Sequence, residues 1–204
     1  MSKKYLHIVF LLSFSQVIAS SPVRTVSDSS KQQPSLLWAR TTIMKSWERF
    51  NEKEMLQYYI KCPDPVLKSY FPAILPLVLE EGDMNLSSSF GFRVHPIDGH
   101  IRKHLGVDLT ASKGQPVYAT LRGIVQTGYQ SGYGLYVKIS NQFYSIILAH
   151  LSSIIVKTGD VALPYTCIGQ VGSSGKSTGN HLHYEVRFKG QPTDPGQYMF
   201  LNYQ

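Results

Sequence analysis

Apolar positions in the first third of the chain recur with the period of an α-helix. Between residues 36 and 50 they follow three- and four-residue spacing, which places them on one helical face: Leu36, Ile43, Met44, Trp47 and Phe50. Asn51 followed by Glu54 has the spacing of a capping box, which predicts a second short helix there. Pro63 would end that helix, because proline disfavours helical backbone in the residue before it. We therefore predict a helical segment and an apolar connector over 36–85.

From Ser87 onward the pattern changes to short β-rich runs separated by glycine turns. The runs include "PVYATL", "GLYVKIS", "FYSIILAHL" and "HLHYEVRF". Regular short strands with turn signals are typical of antiparallel sandwiches and barrels. We predict a mainly β fold, in which a compact antiparallel β-sandwich or partial barrel at 86–204 follows the short helical N-terminal segment. We expect this domain to fold without the segment.

The first 20 residues have the order of a secretory signal. Lys3 and Lys4 precede an apolar run, and the small residues Ala19 and Ser20 close it. This order predicts a signal peptide at 1–20, and the polar residues 21–35 then form a flexible linker. The run is short for a bilayer span, which needs about 20 apolar residues, and an uncleaved anchor is the alternative. We expect an exported protein, periplasmic or secreted, with no stable membrane span after cleavage.

The charge balance narrows the choice of partners. The 204-residue chain has a formal net charge of +7, and removing residues 1–20 takes away two lysines and no acidic residue, which leaves +5. A basic exported protein suits an anionic surface such as a cell wall. No basic helix or aromatic-interleaved basic stripe supports nucleic-acid binding.

Cys62 and Cys167 could pair outside the cytosol, but the apolar run around Cys167 favours a buried free thiol.

Two short motifs carry residues that bind metals. "GNHLHYEV" places His181 and His183 on one face of a predicted strand, because strand side chains alternate between faces. "RKHLGVDL" contributes His104 and Asp108 on either side of a glycine. Histidine and aspartate both bind zinc, and three protein ligands with an open fourth position are the pattern of a catalytic zinc site. The residues predict a His-Asp-His site and leave open which histidine of the pair belongs to it.

A further histidine, His150, ends the apolar run in "FYSIILAHL" and could be structural if taken alone. Together with the other motifs, the stretch from Phe90 to Met199 resembles the M23 zinc metallopeptidases, the lysostaphin-type endopeptidases that cut peptidoglycan peptides. The segments that carry the resemblance are "FGFRVHPIDG", "HLGVDL", "GQPVYAT", "GYGLYVKI", "AHLS", "VGSSGKSTGNHLHYEV" and the "DP" near the end.

The resemblance implies a role for each motif residue. His104, Asp108 and His183 would bind one zinc ion per chain, because the second histidine of the family's H-x-H motif is the third ligand. His181 and His150 would be the catalytic residues. Histidine changes charge near neutral pH, which suits both to proton transfer. The implied activity is hydrolysis of peptidoglycan peptides by a bacterial, monomeric enzyme.

Weaker predictions concern the rim of the site. Arg93, His95 and Pro96 match the family's R-x-H-P loop, and we consider Arg93 and Asn180 candidates for substrate binding. Glu185 lies on the same strand face as His183 but farther along the strand, so we do not expect it to act as the general base.

Two departures from the family pattern leave the motif residues intact. Leu148 stands where relatives often have tyrosine, and residues 162–165 replace a lysine-glycine turn.

Alternative functions are a catalytically silent activator of other wall hydrolases, a wall carboxypeptidase of another zinc fold, and a basic binding module. The peptide bond that is cut stays open between a glycine bridge and a crosslink of D-alanine to a diamino acid.

Overall fold

The residues described by the computed structural model are 36–78, 86–94 and 99–199. The predicted signal peptide at 1–20, the linker at 21–35, and His95 and Pro96 lie outside these ranges. Within the described part of the chain, no helix is both long enough and apolar enough to cross a membrane.

Short helices form the N-terminal segment. Their bounds are Leu36–Ser46 (α1), Trp47–Arg49 (a single 3-10 turn), Glu52–Lys61 (α2) and Pro65–Lys68 (α3). The predicted capping box is confirmed. The Asn51 side chain accepts a hydrogen bond from the backbone N–H of Glu54 at 3.0 Å, and the Glu54 carboxylate accepts one from the backbone N–H of Asn51 at 2.8 Å. α2 ends at Lys61, directly before Cys62-Pro63, where the proline predicts its end.

Antiparallel strands make up most of the remaining described chain. They are Leu86–Ser88 (β1), Gly91–Val94 (β2), Ile101–His104 (β3), Val107–Thr110 (β4), Pro116–Tyr118 (β5), Gly123–Gln130 (β6), Gly134–Ser140 (β7), Tyr144–Ile154 (β8), Val161–Ala162 (β9), Cys167–Val171 (β10), His181–Phe188 (β11) and Gln191–Thr193 (β12), followed by the one-turn helix Gly196–Met199 (α4). Ten strands form one sheet with the order β1-β4-β11-β8-β7-β6-β9, to which β10, β5 and β12 attach. β2 and β3 form a separate hairpin. The prediction of a mainly antiparallel β domain with short N-terminal helices is confirmed.

The long strand β8 exchanges one neighbour for another part-way along its length. Its first half pairs with β11 as far as Ala149, opposite His183. Its second half pairs with β10 from Leu151 onward. His150 lies between the two pairings and has φ of 60°, in the left-handed region that residues other than glycine seldom adopt. β8 therefore changes its partner strand at His150, whose ring lies 4.7 Å from that of His181 at the start of β11.

One hydrophobic core joins the helices to the sheet. Trp47 is fully buried, and its ring lies 5.3 Å from that of Phe71 and 5.6 Å from that of Phe143. Phe71 in turn lies 5.6 Å from Tyr144 on β8. The described residues from Leu36 onward belong to one compact unit. The domain boundary at residue 86 stays a prediction, and the helices share a core with the strands that follow it. The two cysteines are free thiols.

Gly106 allows β4 to lie directly against β11. A Cβ atom at this position would overlap the carbonyl oxygen of Tyr184 and come within 2.9 Å of the Glu185 side chain. Its backbone is not in the left-handed region, so the requirement for glycine here is close approach rather than a special turn. That approach sets Asp108 opposite His183 across the two strands.

Candidate metal centre

Three strands bring the predicted metal ligands together. His104 ends β3, Asp108 lies in β4, and His183 lies in β11. His104 Nε2 is 3.1 Å from His183 Nδ1 and 3.2 Å from Asp108 Oδ1, and His183 Nδ1 is 2.9 Å from the same oxygen. The side chains of His104 and His183 are buried, and that of Asp108 is 13% exposed. They form the metal site, and His183, rather than its neighbour in the H-x-H motif, completes it.

Hydrogen bonds on the far side of each imidazole prepare the inner nitrogens for a metal. His104 Nδ1 donates to the carbonyl oxygen of Ser89 at 2.9 Å. His183 Nε2 donates to Glu185 Oε1 at 3.1 Å. A neutral imidazole that donates from one nitrogen has its lone pair on the other. Two lone pairs and the oxygen of Asp108 therefore converge. Tetrahedral zinc with bonds of about 2.0–2.2 Å separates its ligand atoms by about 3.3–3.6 Å, so this donor set fits zinc after a small outward shift.

Hydrogen bonds between the metal ligands shift the pKa values of Asp108 and His183. Burial raises the pKa of Asp108, but hydrogen bonds with His104 and His183 outweigh burial and hold that pKa well below its ordinary value. Burial lowers the pKa of His183, but hydrogen bonds to Asp108 and Glu185 outweigh it and raise that pKa. A raised pKa means that a proton competes with a metal ion for His183 Nδ1 at higher pH than it would in an isolated imidazole. Metal binding must displace that proton, as is general for histidine ligands.

Glu185 supports His183 on the side away from the metal position. Its carboxylate accepts hydrogen bonds from His183, from the hydroxyl of Tyr133 at 2.6 Å and from the guanidinium of Arg187 at 2.8 and 3.0 Å. Sequence reasoning considered this residue only as a general base and missed its contact with the ligand. The signal was the two-residue spacing of His183 and Glu185, which places both on one strand face.

Arg93 contacts a metal ligand. Its Nη2 donates to Asp108 Oδ2 at 3.2 Å, so it binds the carboxylate oxygen that does not face the two histidines. Arg93 also lines the groove over the site, whereas Asn180 is exposed and is not among the described residues that line it. The substrate-binding roles of Arg93 and Asn180 stay predictions.

The two remaining histidines lie together beside the metal ligands. The rings of His150 and His181 are 4.7 Å apart, and His150 is 5.8 Å from the ring of His183. His150 Nδ1 donates to the carbonyl oxygen of Ser174 at 2.8 Å, and His181 Nδ1 donates to that of Gly179 at 2.9 Å. Each ring therefore keeps Nε2 for other partners. Burial lowers the pKa of His150 to about 4, which keeps this ring neutral at neutral pH.

An open groove of about 380 Å³ lies over these five residues. The described residues that line it include four cationic side chains: Arg93, Arg102, Lys103 and Lys176. The described carboxylates in the lining are Asp108 and Glu185, and both have partners within the protein. No residue of the described helices α1–α3 lines the groove. The rim around the metal site is therefore cationic.

Known proteins are similar to this chain in sequence and fold. The chain is 44% identical over 112 residues to the DD-carboxypeptidase/endopeptidase Mpg of Neisseria meningitidis, covering 54% of this chain and 26% of that protein. A zinc containing peptidase from Vibrio cholerae is 32% identical, with a TM-score of 0.54 over 60% of this chain and 39% of that one. The catalytic domain of the M23 protein EnpA from Enterococcus faecalis is 31% identical, with a TM-score of 0.51 over 60% of this chain and 97% of that domain.

The similar proteins differ in how much of their own length this chain covers. The chain spans about a quarter of the length of Mpg, and almost all of the EnpA catalytic domain. The profile of peptidase family M23 matches residues 102–195, which include His104, Asp108, His150, His181 and His183. The predicted resemblance is confirmed: the chain belongs to peptidase family M23.

Proposed function

We propose that this protein is a zinc-dependent endopeptidase that hydrolyses peptide crosslinks of bacterial peptidoglycan, with one zinc ion per chain. The observation that carries the proposal is the convergence of three metal ligands beside two further histidines in one open groove. The name of the similar Neisseria protein includes endopeptidase activity, and the similar Vibrio cholerae structure is described as a zinc containing peptidase. Both descriptions support the same chemistry for this chain.

The metal ligands and the groove together define the chemistry. His104, Asp108 and His183 would hold a zinc ion, which when bound polarises the scissile carbonyl and lowers the pKa of a water molecule. Asp108 is further held by Arg93, and this contact keeps its second oxygen occupied. The carboxylate thus presents Oδ1 toward the two imidazoles.

His150 and His181 would move the protons of the reaction. Hydrolysis of a peptide bond needs a base for the attacking water and an acid for the leaving amine. Because each ring donates its Nδ1–H to a backbone carbonyl, its Nε2 is the atom that exchanges a proton. Once protonated, the same atom can donate to the oxyanion that develops in the transition state. Glu185 cannot take the role of base, because hydrogen-bond donors occupy both of its oxygens.

The charge of the groove favours one crosslink chemistry. A crosslink between D-alanine and a diamino acid leaves peptide carboxylates close to the scissile bond, whereas a glycine bridge carries none. Lys103 lies on β3 and Lys176 on the loop before β11, so cationic side chains reach the groove from two elements. We therefore propose the D-alanine to diamino-acid crosslink as the substrate.

The test compares walls of the two crosslink types. We expect the purified protein to release uncrosslinked muropeptides from a wall with D-alanine to diamino-acid crosslinks, and to release far less from a wall with glycine bridges. Mass spectrometry of the soluble products identifies the bond, and a chelator should abolish the release. A protein that contains no zinc and releases nothing from either wall would instead favour the catalytically silent activator.

Lysine variants test the substrate charge directly. We expect replacement of both Lys103 and Lys176 by alanine to lower kcat/KM on the carboxylate-bearing crosslink, mainly through KM. Two exposed charge pairs, each contributing about 0.2–1 kcal/mol, correspond to about 2- to 30-fold. The dependence of kcat/KM on salt should also weaken. Lys157→Ala, at an exposed position outside the groove lining, is the control. Unchanged kinetics in the double variant would contradict the assignment.

The proposal includes export and a monomeric state. The charge, apolar and small-residue order of residues 1–20 supports export, since peptidoglycan lies outside the cytoplasmic membrane. The five motif residues all come from one chain, so the site needs no residue from a second copy.

A further inference from the structure

Glu185 is a buried carboxylate that the hydrolysis proposed above does not use. It is 1% exposed and lies two residues beyond His183 on the same face of β11. A buried charge is costly unless it is paired and hydrogen-bonded. The position of such a group directly behind a metal ligand therefore requires a physical reason.

Hydrogen-bond donors surround both oxygens of this carboxylate. Oε1 accepts from His183 Nε2 at 3.1 Å and from the Tyr133 hydroxyl at 2.6 Å. Oε2 accepts from Nε and Nη2 of Arg187 at 3.0 and 2.8 Å. An ionised carboxylate is an acceptor only, so it matches this environment. Arg187 balances its charge and fixes its plane by donating twice to one oxygen.

We propose that Glu185 is a positioning residue that holds His183 in its Nε2–H form and so aims Nδ1 at the metal. The inference rests on the metal site of the proposed function, but not on peptide hydrolysis. The hydrogen bond at one ring nitrogen decides which nitrogen is left to bind a metal. Here that leaves Nδ1, which is 2.9 Å from Asp108 Oδ1 and 3.1 Å from His104 Nε2.

Tyr133 contacts both Glu185 and the backbone of His150, a predicted catalytic histidine. Its hydroxyl donates to Glu185, and its backbone carbonyl accepts from the backbone N–H of His150 at 2.8 Å. One residue between β6 and β7 therefore contacts the partner of a metal ligand and the backbone of a predicted catalytic histidine. Tyr133→Phe removes only the first of these contacts, because the backbone bond does not depend on the side chain.

The test measures metal affinity in the full chain, by competition with a chelator of known zinc affinity. Glu185→Gln keeps the size of the side chain, but its NH₂ group must face donors, either His183 and Tyr133 or Arg187. We expect zinc binding to weaken about 10- to 100-fold. Tyr133→Phe keeps the contact between Glu185 and His183, and we expect a loss of about threefold. Glu48→Gln, an exposed position on the 3-10 turn, is the matched control.

Nitrogen-15 NMR of the zinc-loaded protein separates positioning from a general structural effect. In the wild type we expect His183 to bind zinc through Nδ1 and to keep a proton on Nε2. In Glu185→Gln we expect that pattern to be lost or mixed, while the His104 signals remain. A variant that is only less stable would keep the wild-type pattern in its folded fraction.

Each outcome bears on the inference. Glu185→Gln with wild-type zinc affinity and an unchanged His183 pattern would overturn it. If that variant does not fold, the wild-type His183 pattern decides, and zinc bound through Nε2 rather than Nδ1 overturns the inference. A wild-type protein that binds no zinc would overturn both the inference and the proposed function. A wild type that binds zinc through the expected nitrogen but cuts no crosslink would leave the inference standing and overturn only the function.

Discussion

Replacing His150 or His181 with alanine is expected to leave zinc bound at near-stoichiometric amounts and to remove nearly all crosslink cleavage. Neither histidine belongs to the three-residue metal site. His181 Nε2 is 3.8 Å from Asp108 Oδ1, which is too far for a hydrogen bond. Each change would remove one proton-transfer group, which is typically worth about 10²–10⁴-fold in rate.

Replacing a ligand should have a different effect. His104→Ala, Asp108→Ala and His183→Ala each leave two of three protein ligands, so we expect both zinc and activity to be lost. The measurement pairs elemental analysis of zinc content with cleavage of a crosslinked peptide. His100→Ala, at an exposed position outside the groove lining, is the control and should keep both properties.

The backbone of His150 calls for a second variant. Its φ of 60° lies in the left-handed region, where asparagine is tolerated better than alanine. His150→Asn therefore separates loss of the imidazole from backbone strain, and we expect it to bind zinc and to be inactive. Loss of zinc from His181→Ala together with its retention in His183→Ala would mean that the two histidines of "GNHLHYEV" have exchanged roles.

Local rules predicted the features that depend on neighbouring residues. The capping box at Asn51 and the end of α2 before Pro63 depend on contacts within one turn of helix. The common orientation of His181 and His183 depends on strand alternation. The sequence motifs also contained the metal ligands. The residues alone did not show whether His181 or His183 binds the metal, and the family resemblance implied His183. The register of β4 with β11, which sets Asp108 opposite His183, gives the geometric reason.

Features that depend on distant segments could not be predicted in this way. One hydrogen-bond donor to Glu185 is Tyr133, which lies 52 positions earlier in the chain. The exchange of partners by β8 at His150 results from two different strands reaching the same edge. Spacing along one strand gives no information about which other segment lies against it.

The packing of the helices against the sheet also depends on segments that are distant in sequence. Periodicity predicted an apolar face over residues 36–50, but not what covers it. The structure places Trp47 against Phe143, and the backbone carbonyls of Ser69 and Pro76 accept hydrogen bonds from the backbone N–H groups of Arg122 and Tyr118. The helical segment therefore supplies both apolar cover and hydrogen-bond acceptors to the strand region, which changes what we expect from its removal.

A chain that lacks residues 1–78 is expected not to fold, in contrast to the independence that the sequence pattern favours. Loss of the helical segment would expose the buried side of Phe143 and Tyr144. It would also remove the carbonyl partners of two backbone N–H groups. Point removal of Trp47 alone should cost about 3–5 kcal/mol, a large fraction of the stability of an ordinary domain, about 5–15 kcal/mol.

Circular dichroism and two-dimensional NMR of the shortened chain, with zinc present, test this expectation. A chain that lacks only residues 1–35 is the control, because it keeps every described core residue, and we expect it to unfold cooperatively and to bind zinc. Zinc binds the native metal site and so stabilises the folded state. It cannot replace the apolar contact of Phe71 with Tyr144, because Tyr144 pairs with Phe188 at the end of β11 that is remote from His183. Dispersed spectra and cooperative unfolding of the chain that begins at residue 79 would show that the strands are stable without the helices.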